Sequence, residues 1–270
     1  MVDPLYPVLA AILDLPPAQA AQSLASHPLT FLWVLVRLLP LGALVPWLSL
    51  AGAAPLARSV VLLVLALVLT PIANLASAAH AMFWPWQLGR ELLVGAAFAL
   101  AVASPLWAAA WVGELSDLWR NAGTNGSAAL TDAGSSSALG TLYLWSGCAL
   151  FFAVGGHRSV LDSLGELLVQ VPVGGPWPGL DALGHALVRA CADAFGWAVL
   201  GSMAVALCVL ALDLTTAVAA RTAGSLASTL ATPSTGGLLG LAVALASMSL
   251  VLDQLPRLVQ TAIAHALAMF

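Results

Sequence analysis

"RELLVGAAFALAVASPLWAAAWVGELSDLWRNAG", residues 90–123, runs from Leu92 to Gly113 without a charged side chain. Charges stand at its two ends: Arg90 and Glu91 before it, Glu114, Asp117 and Arg120 after it. About 20 apolar residues cross the hydrocarbon core of a bilayer as a helix, so Leu92–Val112 reads as a membrane-spanning segment.

The rest of the chain agrees. Of its 270 residues 61% are hydrophobic and only 7% charged, and its mean hydropathy is +1.00. Soluble domains carry roughly a quarter of their residues as charges. Further apolar segments fall at Leu29–Leu50, Val60–Leu75, Ala138–Val154, Ala194–Leu212 and Gly236–Leu252. Leu255–Phe270 keeps Arg257 and His265 among apolar residues, as an interfacial helix does. Val160–Val171 is too short and too charged to span, and reads as a membrane-surface or subunit-packing helix. The expected fold is all-α: one polytopic helical membrane domain over residues 1–270, with no internal repeat and no soluble domain.

There is no lysine; eight arginines face twelve carboxylates. The net charge of −4 supplies no attraction for nucleic acid. Residues 1–28 lack the basic start and uninterrupted apolar run of a secretory signal, so no cleaved leader is expected there. Cys148, Cys191 and Cys208 stand apart, without a CxxC pair, and are expected as small buried hydrophobes. The arginines are scattered along nearly every polar interval, so the positive-inside rule selects no topology. Such scatter suits segments that settle against protein more than against lipid.

Polar and kinked positions inside the apolar segments point the same way. Arg37 lies near the middle of Leu29–Leu50, where a charge facing lipid costs at least about 2.5–3.5 kcal/mol. It should face protein, water or a carboxylate. Pro40, Pro46, Pro71 and Pro105 interrupt helices, and the carbonyls they free need partners. Gly236, Gly240 and Ala244 form a small-residue stripe at helical spacing, suited to helix contact within the chain or between subunits. Arg189 and Asp193 stand four apart, as do Arg158 and Asp162, so each pair can neutralise itself on a helix. Glu166 repeats the charge of Asp162 and needs a cation or water.

After Arg120 the chain changes character. Asn121, Gly123, Asn125, Gly126 and Ser127 favour turns over helix, and residues 121–137 form a Gly/Ser-rich loop. A loop beyond about 12–15 residues in a compact protein is a linker, a lid or a binding segment. Small polar side chains suit a movable stopper, because they can seat and leave without stripping a large apolar face. Glu114, Asp117 and Arg120 are spaced by three, so they emerge on nearly one helix face at the foot of this loop.

Catalytic signatures are missing. There is no HExxH, Walker-type or Rossmann motif and no nucleophile elbow, and the five histidines are dispersed. An alternative is a small polytopic transporter in which Arg37, Asp193 or Asp213 couples an ion or solute.

Residues 90–123 together with "LFFAVGGHRSVLDSLGELLVQVPVGG", residues 150–175, resemble the export-gate subunit T of type III secretion systems and its flagellar counterpart, the SctT/FliR family. The resemblance is carried by Arg90, Glu91, Gly95, Gly113, Glu114, Asp117, Arg120, Gly155, Gly156, His157 and Pro172. It extends more loosely from Leu29 to Leu252, through Arg37 and Pro46 and through Asp213 and Arg221. Gly155 stands where flagellar members usually carry Asp, which favours the injectisome branch.

The resemblance implies a non-enzymatic subunit of the bacterial inner membrane, without a cofactor, whose helical hairpins join a cone-shaped gate. Its partners would be the R and S subunits (FliP- and FliQ-like), with U and V alongside, and unfolded substrates would pass. The loop would be a plug with Glu114, Asp117 and Arg120 as its collar. Arg37, Arg90, Glu91, Gly155, Gly156, His157, Arg158, Asp213, Arg221, Gly236 and Gly240 would serve subunit packing.

Overall fold

The chain is described by a computed structural model over residues 28–49, 55–73, 84–120, 137–175, 179–223 and 233–268. Those residues are almost wholly helical, with no extended strand among them. In chain order the helices are α1 Pro28–Leu44, α2 Pro46–Ser49, α3 Pro55–Leu69, α4 Trp84–Trp119, α5 Ala138–Ala153, α6 Gly156–Gln170, α7 Leu180–Ala223, α8 Pro233–Asp253 and α9 Leu255–Ala268. Four of the nine begin with a proline, which fits the first turn because its missing N–H has no helical partner there.

Several boundaries differ from the apolar segments. The first breaks at Val45, because the ring of Pro46 disfavours helical backbone at the residue before it. The second shifts to Pro55–Leu69 and stops short of Pro71. Pro40 and Pro105, by contrast, lie inside α1 and α4. Helix α4 starts two turns before Leu92 and carries Arg90 and Glu91 in its body. Helix α7 extends Ala194–Leu212 in both directions to 44 residues.

By length and composition, α4 and residues 187–218 of α7 can cross a membrane. The total reaches four if the broken pairs α5–α6 and α8–α9 each count as one span. This is the architecture of a multi-pass helical membrane protein.

Contacts divide the chain into two compact units. The first comprises residues 1–103, 155–190 and 259–270. In it, Gly42 of α1 lies so close to α3 that an added Cβ would meet Leu62 Cδ1 at 2.6 Å. A Cβ at Gly95 of α4 would strike the backbone carbonyl of Arg37. The rings of Trp33 and Trp84 meet at a tilt of 52°, with centroids 5.1 Å apart.

The second unit comprises residues 104–154 and 191–258. Val112, Tyr143, Ala198 and Val251 form one apolar cluster there, flanked by Trp111, Leu115, Trp197 and Met248. The Tyr143 hydroxyl donates to the Ala244 carbonyl at 2.7 Å, which satisfies a buried polar group inside that core. Among the cysteines Cys148 is buried and Cys208 half-buried, but Cys191 is exposed on α7, contrary to the expectation that all three are buried.

Candidate functional site

Helix α5 begins immediately after the Gly/Ser-rich loop, and the start of any helix leaves backbone N–H groups without intrahelical partners. Two of them are met in different ways. Ser137, the N-cap, accepts from the Gly140 N–H at 2.9 Å through its own hydroxyl. The Leu139 N–H donates at 3.0 Å to Oδ2 of Asp117, which belongs to α4 on the other side of the loop. A carboxylate there also complements the positive end of the helix dipole.

Glycines make that reach possible. A Cβ at Gly113, one turn before Asp117, would lie within 3 Å of the Leu139 and Gly140 backbone. A Cβ at Gly140 would meet Glu114 Cγ at 2.6 Å. The two helices therefore touch almost backbone to backbone. The other carboxylate oxygen of Asp117 pairs with Arg120, three residues on. The stem of Arg120 lies over α8, where a Cβ on Gly240 would come within 2.7 Å of Arg120 Cγ.

Of the expected collar, Asp117 is buried, Arg120 is nearly so, and Glu114 is exposed beside Gly140. Asn121, Gly123, Asn125, Gly126 and Ser127 lie outside the described residues. The structure describes the two feet of the loop, Arg120 and Ser137, and the contacts that tie them together.

A second polar assembly lies in the first unit. Arg37 and Glu91 are both fully buried, and Nη2 of Arg37 sits 2.6 Å from Oε2 of Glu91, with Nε at 2.7 Å. Glu91 Oε1 accepts from Gln87 at 3.1 Å, from the Gly174 N–H at 3.0 Å and from Arg90. Arg37 also donates to the Val171 carbonyl at 2.8 Å. Two arginines and one carboxylate thus hold the non-helical segment 171–175 against α1 and α4. Gly174 has φ of 77°, a conformation that favours glycine. Of the partners expected for Arg37 (protein, water or a carboxylate), the structure supplies the carboxylate of Glu91. Within the chain the side chains of Arg37, Arg90 and Glu91 are at most 1% exposed.

The other expected packing residues are placed as follows. Gly155 has φ of 80° and separates α5 from α6, Gly156 is buried, His157 half-buried and Arg158 exposed. Asp213 and Arg221 are exposed on α7. Asp193, weighed with Asp213 and Arg37 for ion coupling, is exposed on the same helix. Gly240 is filled by Arg120 from within the chain, while Gly236 falls in α8 with surroundings outside the described residues. Glu166 accepts from the Gln170 amide at 3.1 Å, so a neutral group meets it.

Sequence reasoning did not single out Gln87, Ser137, Leu139, Val171 or Gly174. Ser137 directly before an apolar helix and Gln87 four residues before Glu91 were available signals; the backbone partners were not.

These features define a multi-pass, all-helical membrane protein whose charged groups fix helix ends and a non-helical segment inside the fold. The profile of the family described as "Bacterial export proteins, family 1" matches residues 29–262, and the chain belongs to that family, the FliR/SctT family. No curated protein matches the chain. It is a bacterial export-apparatus protein.

Proposed function

We propose that the chain is a pore-forming structural subunit of the type III export gate in the bacterial inner membrane, and that residues 121–137 are its plug. The whole chain works as one helical membrane domain, a reading supported by a family match that runs through both compact units. Its partners are the R and S subunits (FliP- and FliQ-like), with U and V alongside, and unfolded secretion substrates pass through the assembly. Gly155 favours the injectisome branch.

The observation that carries the plug reading is the geometry at the loop's feet. Asp117 binds Arg120 on one side and the Leu139 N–H on the other, so the loop leaves and returns at one point. Feet held together in this way suit a plug, whereas a linker would separate its ends. Helix length supports the multi-subunit part. At 1.5 Å per residue the 36 residues of α4 extend about 54 Å, well beyond a hydrocarbon core of about 30 Å. The surplus is met by tilt or by cover from protein.

Deleting residues 123–136 tests the reading. The assembled complex should still form, with its membrane made leaky to ions or small solutes. Wild-type permeability in a verified complex would remove the plug.

A further inference from the structure

We infer that Asp117 is a positioning residue that acts as a clasp: its essential bond is the cap it gives to α5, and its ion pair with Arg120 is secondary. The two bonds differ in what they report. Arg120 directly follows α4, three residues after Asp117, so their pairing is available wherever α5 is. The bond to the Leu139 N–H joins residues 22 apart and exists only when the start of α5 is seated against α4. Only that second bond conveys position.

The surroundings are built for it. Gly113 and Gly140 remove the two side chains that would hold the helices apart. Asp117 is 6% exposed, so its carboxylate is largely withdrawn from solvent and the bond is correspondingly strong. Ser137 takes the Gly140 N–H and leaves Leu139 for Asp117, so each cap has its own donor. The Arg120 stem lies over Gly240 and its guanidinium pairs with Asp117 Oδ1, which leaves Oδ2 to the Leu139 N–H. The Arg120 guanidinium and the Leu139 N–H are thereby joined through one side chain. Its consequence for permeability rests on the plug reading; the clasp itself does not.

The test measures amide hydrogen exchange at Leu139 and Gly140 in the assembled complex, with membrane leak recorded in parallel. Asp117→Ala should speed exchange at Leu139 by about 10- to 100-fold, the range for losing a hydrogen bond to a charged group. Arg120→Gln keeps the carboxylate and should stay within about threefold of wild type. The exchanged pair Asp117→Arg with Arg120→Asp restores the ion pair but not the cap, because a guanidinium has no acceptor. It should exchange as fast as Asp117→Ala. Asp117→Asn retains a capping oxygen and keeps the protection, which covers the case in which the alanine variant does not assemble.

The clasp is overturned if the exchanged pair restores protection, if Arg120→Gln exposes Leu139 as fully as Asp117→Ala, or if Asp117→Asn does so. Unchanged protection in Asp117→Ala overturns it as well, whatever the leak. Lost protection without a leak supports the clasp and removes the plug reading instead.

Discussion

Glu91 accepts from two arginines, a glutamine amide and a backbone N–H while itself fully buried. Withdrawing such a group from water is tolerable only because every bond is made, so removing the charge leaves two guanidiniums without their carboxylate. Breaking a buried pair costs about 3–5 kcal/mol. Glu91→Gln should therefore destabilise the chain by that order, whereas Arg158→Gln, at an exposed position, should change stability by no more than about 0.5 kcal/mol. Denaturant titration of the purified complex, followed by helical signal, measures both. Equal midpoints would mean that the cluster carries no stability. That Arg37 must turn to protein, water or a carboxylate was legible from its place in an apolar helix. The identity of the partner was not, because Glu91 is 54 residues away and only packing brings them together. Asp117 and Arg120 were legible as a pair for the opposite reason: their spacing of three is local.

At the scale of the helices, legibility followed turn chemistry. Helices α5, α8 and α9 start within three residues of their apolar segments because Ser137, Pro233 and Pro256 mark those starts. Helix α4 starts earlier than its apolar run because Arg90 and Glu91, which mark the edge of that run, pair with each other and Glu91 with Arg37 inside the fold. The break between α5 and α6 rests on Gly155, whose φ of 80° is a left-handed value that L side chains avoid. Gly155→Ala should cost about 1 kcal/mol, and Gly155→Asn less, since asparagine tolerates this region. The ordering of the two midpoints in the same titration is the readout. An alanine variant as stable as wild type would show that the break does not need this conformation.

For the molecule as a whole, the two unbroken helices among the described residues that are long and apolar enough to cross a membrane stand in different situations. The apolar window of α4 is 72% buried by the chain's own residues, while that of α7 is only 17% buried. Leu200, Leu207, Leu210, Leu214 and Val218 lie exposed along α7 at helical spacing. The 32 residues 187–218 extend about 48 Å, so lipid with a core of about 30 Å cannot cover an upright helix of this length. Extra length is met by tilt or by protein. Asp213, exposed on the same stretch, argues for protein, since a carboxylate toward hydrocarbon is costly. The chain expressed alone should therefore accumulate poorly and be cut readily by added protease. Co-expression with the proposed R and S partners should raise its membrane level several-fold and protect α7. Maleimide labelling of Leu207→Cys and Leu214→Cys follows the same change site by site, with labelling lost on assembly. If the lone chain accumulates to the co-expressed level with those cysteines equally shielded, α7 is a lipid-facing helix and its apolar face needs no sister subunit.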